Sequence, residues 1–246
     1  MDQQAKPADR LFVALDVRTA EQALELVDTL RPFTRRFKVG SQLFTATGPD
    51  LVRKLVASDL DVFLDLKFHD IPTTVAAAAT EATRLGVFMF NMHIAGGREM
   101  IVRAVDAVSD TAAKTGTRRP LVLGVTVLTS MDKSTLEETG VSRRVEEQVL
   151  SLAKMGAEAG LSGVVTSPRE ARLIKTSISQ SFVIVTPGIR PSDSSNNDQK
   201  RIMTPRAAID AGVDYLVVGR PITAAEQPIT AVQRIIGEIE AIGAAG

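Results

Sequence analysis

The chain of 246 residues contains no cysteine and only two histidines, His69 and His93. The missing cysteines exclude disulfides, thiolate nucleophiles and cysteine-based metal sites. Two histidines cannot form a three-histidine metal site, and they leave few arrangements for a histidine-based catalytic triad. Since a cysteine-free chain fits a reducing compartment, we expect a cytoplasmic protein.

The chain also lacks net charge of one sign and long apolar runs. Its 29 basic residues balance 29 acidic ones, which argues against a general nucleic-acid-binding protein. No stretch of about 18 consecutive apolar residues and no signal-peptide pattern occurs, so we expect no association with a membrane. The polar segment 1–9 is expected to be a flexible lead-in.

Short apolar runs alternate with amphipathic segments along the chain. The runs predict strands at residues 11–16, 37–40, 61–67, 87–93, 121–127, 163–166, 182–186 and 215–218. The segments that follow predict helices at residues 19–30, 49–58, 73–85, 98–113, 143–159, 168–176, 205–211 and 229–242. Near-continuous apolar strands are typical of a parallel sheet covered by helices. Eight such units predict an α/β fold, a single-domain (β/α)8 TIM barrel over residues 1–246, with an open doubly wound sheet as the alternative.

The most informative segment is 65–71, at the end of the third predicted strand. Alternate residues of an extended strand face the same side, so Asp65 and Lys67 should point the same way. Asp70 follows where the chain must turn before Pro72. Charges at the end of a buried strand are costly unless they are paired, and a row of Asp, Lys and Asp pairs its own charges. Such a row also forms a preorganised electrostatic site, although the pattern alone is common on solvated helices.

Polar residues gather at the carboxyl ends of nearly all the predicted strands, where a barrel enzyme builds its site. Outside segment 65–71 they include Asp16, Lys38, Asn91, His93, Thr126, Thr129, Ser130, Arg190 and Arg220. We interpret His93 as a structural histidine of the barrel interior. His69 should face the side opposite to Lys67, so we interpret it as structural too.

The loops after the last two predicted strands match a phosphate site. Gly188-Ile189-Arg190 follows the seventh strand and Gly219-Arg220 follows the eighth, where barrels often bind phosphate. Glycine lets backbone N–H groups approach an anion, and arginine supplies a bidentate charged contact. Either motif alone also fits an ordinary turn, but both at the expected strands favour phosphate. The polar loop 188–204 is long, which is typical of a functional loop.

These features together resemble the orotidine 5′-monophosphate decarboxylase family in its bacterial form. The segments that carry the resemblance are 13–16, 38–40, 63–72, 125–130, 186–191, 198–201 and 218–221. They cover almost the whole chain in the family's order, and the combination of Asp-x-Lys-x-x-Asp-Ile-Pro with Pro-Gly-Ile-Arg is highly specific. The resemblance implies a homodimeric barrel that converts orotidine 5′-monophosphate to uridine 5′-monophosphate and CO2, the last step of UMP biosynthesis, without a metal or other cofactor.

The resemblance also implies a role for each matching residue. Asp65 would face the substrate carboxylate, and Lys67 would donate a proton to C6 of the pyrimidine. Asp70 would reach into the neighbouring subunit's site, together with Ile71 and Thr74. The other substrate-binding residues would be Asp16 and Lys38 at the ribose, with Lys38 also in the charged row, Thr129 at the pyrimidine, Ser130 as a further substrate contact, Gln199 between base and phosphate, and Arg190, Gly219 and Arg220 at the phosphate. The loop 188–204 would close over the ligand as a lid.

Two alternatives remain open at this point. A Mg2+-dependent enzyme resembling 3-keto-L-gulonate 6-phosphate decarboxylase shares the barrel and the Asp-x-Lys-x-x-Asp pattern. By resemblance, that family has a glutamate metal ligand where this chain has Lys38, and a lysine repels a cation. A non-catalytic phosphate-ligand-binding barrel is the second alternative, but it would not need Lys67 between two aspartates.

Overall fold

The strands form a closed parallel barrel. The computed structural model describes residues 6–191 and 203–240, and within them eight strands pair in chain order, with the last pairing back on the first. The strands are β1 (Leu11–Ala14), β2 (Arg36–Gly40), β3 (Asp61–Phe68), β4 (Met89–His93), β5 (Leu121–Val125), β6 (Gly163–Val165), β7 (Val183–Thr186) and β8 (Tyr215–Val218). The predicted (β/α)8 barrel is therefore confirmed.

Helices follow the strands and form the outer layer. They are α1 (Ala20–Leu30), α2 (Ser41–Thr47), α3 (Pro49–Ala57), α4 (Pro72–Arg84), α5 (Arg98–Thr115), α6 (Lys133–Glu138), α7 (Val145–Glu158), α8 (Ala171–Ser177), α9 (Pro205–Asp210), α10 (Arg220–Thr223) and α11 (Pro228–Glu240). Thr19 caps α1, because its side-chain hydroxyl oxygen accepts the backbone N–H of Gln22. The sequence does not predict α2, α6 and α10, because helices this short show too little periodicity.

Several predicted boundaries differ from the structure. β1 ends at Ala14 and β5 at Val125, each two residues early, because the ladder pairs described for these strands stop there. Short 3-10 turns occur at Pro7–Arg10, Ile94–Gly96 and Pro168–Glu170. The first falls largely within the predicted lead-in, and the third replaces the start of the predicted helix 168–176. Residues 1–5 of the lead-in lie outside the described residues.

Strand side chains alternate between two apolar layers. Phe12, Phe63 and Leu123 belong to a cluster built from alternate strand residues, which fills the barrel interior. The intervening side chains, such as Leu11 and Val13, pack with the inner faces of the helices in a second, larger cluster. This layering buries both faces of the sheet, as a parallel barrel requires. Among the described residues, no helix is long and apolar enough to span a membrane.

The amino-terminal end of the barrel is closed by an arginine. The guanidinium of Arg36 lies 4.9 Å from the ring centroid of Phe88 and 5.3 Å from that of Tyr215, and its Nε is 3.1 Å from Asp61 Oδ2. The charge is thus neutralised by a carboxylate and packed against aromatic faces. Arg36 therefore serves packing at this end, while the residues that line the predicted site lie at the opposite end.

Candidate active site

Most of the predicted site residues line one cavity at the carboxyl ends of the strands. The cavity measures about 440 Å³, an ordinary size for a small-molecule site. The predicted residues in its lining are Asp16, Lys38, Asp65, Lys67, Thr129, Arg190, Gly219 and Arg220. Apolar side chains that the sequence analysis does not single out complete it: Ala14, Phe63, Val125, Val127, Leu128, Val165 and Val217. The structure thus combines charged groups with an apolar wall in one place.

Four charges alternate in a row along this cavity. Lys38 Nζ lies 2.9 Å from Asp16 Oδ1 and 3.6 Å from Asp65 Oδ2. Lys67 Nζ lies 2.7 Å from Asp65 Oδ1, so Asp65 contacts both lysines. The side chains of Lys38 and Asp65 are only 10% and 15% exposed, which makes their mutual pairing important. The row Asp16–Lys38–Asp65–Lys67 compensates its own charges.

Asp65 is ionised because of this row. Burial alone would raise the pKa of its carboxyl group, but the charges of Lys38 and Lys67 and hydrogen bonds from Lys67 and Asn91 hold the pKa below its ordinary value. The carboxylate therefore keeps its negative charge near neutral pH. It fixes the ammonium group of Lys67 at the cavity wall.

The backbone of β3 brings Asp65 and Lys67 together in an unexpected way. Leu64 pairs with Phe90 and Phe68 pairs with Met92. Between these two pairs the chain advances four residues along β3 but only two along β4, so β3 contains a bulge. Lys67 has a φ of 53°, in the left-handed region, which costs a non-glycine residue roughly 1–2 kcal/mol. The predicted contact is confirmed, but the predicted reason, simple alternation in an extended strand, is wrong. A bulge and a strained residue place Lys67 instead.

Asn91 is a site residue to which the sequence analysis assigns no role. Its side chain is completely buried on β4. Its Nδ2 donates to Asp65 Oδ1 at 2.7 Å, and its Oδ1 accepts the backbone N–H of Lys67 at 2.8 Å. The signal in the sequence is a single amide inside the apolar run Met89-Phe90-Asn91-Met92. Buried polar groups need partners, and here both partners belong to the charged row.

Two glycines leave room for the row. A Cβ atom at Gly40 would lie 2.8 Å from Lys38 Nζ, and one at Gly219 would lie 3.1 Å from Asp16 Oδ2. A larger residue at either position would push a charged group out of its place. The first glycine ends β2 and the second follows β8, so both act at strand ends.

The loops after β7 and β8 bring two arginines to the cavity. Arg190 is buried, its Nη1 donates to the carbonyl of Ile189 at 3.1 Å, and its backbone N–H donates to the carbonyl of Met203 at 3.1 Å. Ile189 also pairs with Met203, which joins the chain after β7 to the chain before α9. Arg220 is more exposed and begins α10. The cavity thus has arginines at the two strands where the sequence analysis predicts a phosphate site.

Several predicted residues lie away from the cavity. Asp70, Ile71 and Thr74 are exposed where β3 leads into α4, with Ile71 64% exposed. The Asp70 carboxylate accepts the N–H of Ile71 at 2.6 Å. Ser130 is exposed and does not line the cavity. Gln199 and residues 192–202 of the predicted lid lie outside the described residues.

The two histidines lie against each other, with ring centroids 5.2 Å apart. His69 is exposed and His93 is half-buried. Burial, followed by the charges of His69 and Lys67, lowers the pKa of His93 below its ordinary value. His93 is therefore neutral near pH 7. Within the described residues no group of three or more histidine or acidic side chains is placed to hold a metal ion.

Fold and site together define a (β/α)8-barrel enzyme whose charged site is built at the carboxyl ends of the strands. Residues 9–235 match the model of the Orotidine 5'-phosphate decarboxylase / HUMPS family, and the chain belongs to that family.

Two relatives and one solved structure support this assignment. The chain is 55% identical to an orotidine 5'-phosphate decarboxylase of Syntrophotalea carbinolica over 232 aligned residues. The alignment covers 94% of this chain and 95% of the relative. The chain is 52% identical over 230 residues to the enzyme of the same name from Idiomarina loihiensis, covering 94% of this chain and 97% of the relative. The crystal structure of orotidine 5'-phosphate decarboxylase from Lactobacillus acidophilus is similar with a TM-score of 0.83 and 38% identity, covering 93% of this chain and 98% of that one.

Proposed function

We propose that this enzyme decarboxylates orotidine 5′-monophosphate to uridine 5′-monophosphate and CO2, the last step of UMP biosynthesis, without a cofactor. The observation that carries the proposal is the row Asp16–Lys38–Asp65–Lys67 in a cavity that Arg190 and Arg220 also line. The relatives named orotidine 5'-phosphate decarboxylase are identical to this chain at about half of the aligned positions, over nearly its full length. The proposed location is the cytoplasm, in line with the absence of cysteine.

The positions of the charged groups support a proposed mode of substrate binding. Arg190, Gly219 and Arg220 hold the 5′-phosphate at the loops after β7 and β8. Asp16 and Lys38 hold the ribose hydroxyls. The remaining proposed contacts are Thr129 at the pyrimidine and Gln199 between base and phosphate, with Ser130, outside the cavity lining, as a further contact. In this orientation C6 and its carboxylate face Asp65 and Lys67.

The chemistry requires a positive charge at C6. When the bond between C6 and the carboxylate breaks, CO2 leaves and the electron pair stays on C6, where no carbonyl is placed to delocalise it. The ammonium group of Lys67 stabilises this carbanion and then donates a proton from Nζ to C6. Two unit charges about 4 Å apart interact by about 4 kcal/mol at an effective dielectric constant near 20, so a preorganised ammonium contributes several kcal/mol.

The rest of the row keeps this ammonium group in place. Asp65 holds Lys67 Nζ at 2.7 Å, so the charge is oriented before the substrate arrives. Lys38 balances Asp65 from the other side. Closure of the loop 188–204 over the phosphate uses binding energy remote from C6 to assemble the site, because interactions that strengthen in the transition state accelerate the reaction.

A homodimer completes the proposed site. Asp70, Ile71 and Thr74 lie exposed at the junction of β3 and α4, outside the cavity of their own chain. Their exposure leaves them available to a second copy, and a 64% exposed isoleucine beside a carboxylate suits a surface that is covered on assembly. In the dimer Asp70 extends the partner's charged row.

The Mg2+-dependent alternative is disfavoured by Lys38. Its ammonium group occupies the space between Asp16 and Asp65, where it would repel a divalent cation bound to these carboxylates. The non-catalytic alternative is disfavoured by the strained backbone of Lys67, because strain of this kind is typical of functional sites.

The test is the ultraviolet absorbance of orotidine 5′-monophosphate mixed with the purified protein in excess EDTA. We expect rapid conversion to the spectrum of uridine 5′-monophosphate. No change in EDTA, followed by activity on 3-keto-L-gulonate 6-phosphate once Mg2+ is restored, would move the enzyme to the alternative. Tight binding of the nucleotide without any turnover would favour the non-catalytic barrel.

A further inference from the structure

We propose that Asn91 is a positioning residue of the reaction, which holds Lys67 and Asp65 in their working arrangement from the neighbouring strand. The inference rests on the proposed function, since that function gives Lys67 its role. Asn91 does not line the cavity, so it acts through the two residues that it contacts.

The hydrogen bonds of Asn91 support this role. One amide group uses both of its ends on the charged row: Oδ1 accepts the Lys67 N–H at 2.8 Å, and Nδ2 donates to Asp65 Oδ1 at 2.7 Å. Asp65 Oδ1 is also the atom that contacts Lys67 Nζ. The side chain of Asn91 therefore fixes the backbone of Lys67 and the carboxylate that orients its ammonium group.

The backbone strain at Lys67 supports the same role. Its φ of 53° is unfavourable for a lysine, and the register shift between β3 and β4 removes this segment from the regular ladder of hydrogen bonds. The Asn91 side chain provides an acceptor for the Lys67 N–H in that gap, in place of a backbone carbonyl. Strained residues persist where their surroundings hold them, and Asn91 is the neighbour that does so here.

The burial of the Asn91 side chain also supports this role. Asn91 is completely buried, and a buried amide costs free energy unless its donor and acceptor are paired. An apolar residue would pack at this position without that requirement. The amide is therefore best explained by the two contacts that it makes.

The experiment compares Asn91→Leu, which removes both contacts, with Asn91→Asp, which keeps an acceptor for the Lys67 N–H but cannot donate to Asp65. The control is Thr186→Val at the end of β7, where a buried hydroxyl has no hydrogen-bond partner among the described residues. For each protein one measures kcat and KM for orotidine 5′-monophosphate, the hydrogen exchange of the Lys67 amide and the thermal unfolding.

We expect Asn91→Leu to lower kcat by about 100-fold with KM within about threefold, because displacing a reacting group by about 1 Å has an effect of this size. The Lys67 amide should exchange rapidly in Asn91→Leu and slowly in Asn91→Asp. Asn91→Asp should also lose kcat, because its carboxylate would repel Asp65. Thr186→Val should change neither the kinetic constants nor the hydrogen exchange of the Lys67 amide.

A kcat for folded Asn91→Leu close to that of the unaltered protein would overturn the inference. A rise in KM at unchanged kcat would also overturn it, because Asn91 would then act in binding. If Asn91→Leu does not fold, the kcat of Asn91→Asp decides in the same way. Failure of the unaltered protein to convert the substrate would refute the proposed function instead, and the exchange of the Lys67 amide would still test the contact with Asn91.

Discussion

Lys67 combines two features that are unfavourable in isolation, a left-handed backbone and an ammonium group in a partly enclosed cavity. Asp65 and Asn91 stabilise both features through contacts of 2.7–2.8 Å. A lysine held in this way has little freedom to reorient when charge develops on a substrate. Preorganisation of this kind separates a reacting group from an ordinary surface lysine.

Lys67→Ala should abolish turnover and leave part of the nucleotide binding intact. Removing the ammonium group eliminates the positive charge and the proposed proton donor at C6, so we expect kcat to fall by at least about 10⁴-fold. The measurements are the absorbance assay and calorimetric binding of uridine 5′-monophosphate. Lys154→Ala, at an exposed position of α7, is the control. Near-normal rates in Lys67→Ala would contradict the proton-donor role.

Asp65 should contribute to stability in a pH-dependent way. Its folded-state pKa lies below the ordinary value of 3.8, so its stabilising contribution is complete above that pH and is lost as the pH falls through the folded-state pKa. We expect Asp65→Asn to lower the free energy of unfolding by about 1–3 kcal/mol at pH 7, because two lysines lose their shared partner. Urea unfolding at pH 7 and pH 3 should show this difference shrinking at the lower pH. An equal difference at both values would contradict the assigned pairing.

At the scale of elements, the sequence predicts the strands and the position of the site well for a physical reason. Apolar runs mark the buried strands, and polar residues at their carboxyl ends must converge once the barrel closes. The bulge in β3 and the φ of Lys67 were not predictable, because they depend on the register between β3 and β4. The role of Asn91 depends on the same register. The short helices α2, α6 and α10 carry too few residues for a periodic signal.

The loop after β8 should act on the phosphate rather than on the base. Arg220→Ala should weaken binding of uridine 5′-monophosphate by at least about tenfold, because a charge-assisted contact to phosphate is lost. Binding of uridine, which has no phosphate, should change by less than about threefold. Calorimetric titration with both ligands measures the difference, and Arg234→Ala on the exposed side of α11 is the control. Equal weakening of both ligands would refute the phosphate assignment.

At the scale of the whole molecule, one chain contains the row from Asp16 to Lys67 but presents Asp70 on its outer surface. A carboxylate that serves the partner's site makes activity a property of the dimer. Two substitutions that inactivate different halves of the site should then compensate each other. In the proposed dimer, Lys67 acts in its own chain and Asp70 acts in the site of the other.

Lys67→Ala and Asp70→Ala should each be nearly inactive as homodimers. In a mixed dimer, one site lacks both residues, while the other has Lys67 from one chain and Asp70 from its partner. Unfolding and refolding the two variants together at equal amounts yields about half mixed dimers with one intact site each, so about a quarter of the unaltered activity should return. Refolding each variant alone is the control. If the mixture is no more active than its components, Asp70 does not act across the interface. If Asp70→Ala alone keeps full activity, the carboxylate has no part in the site.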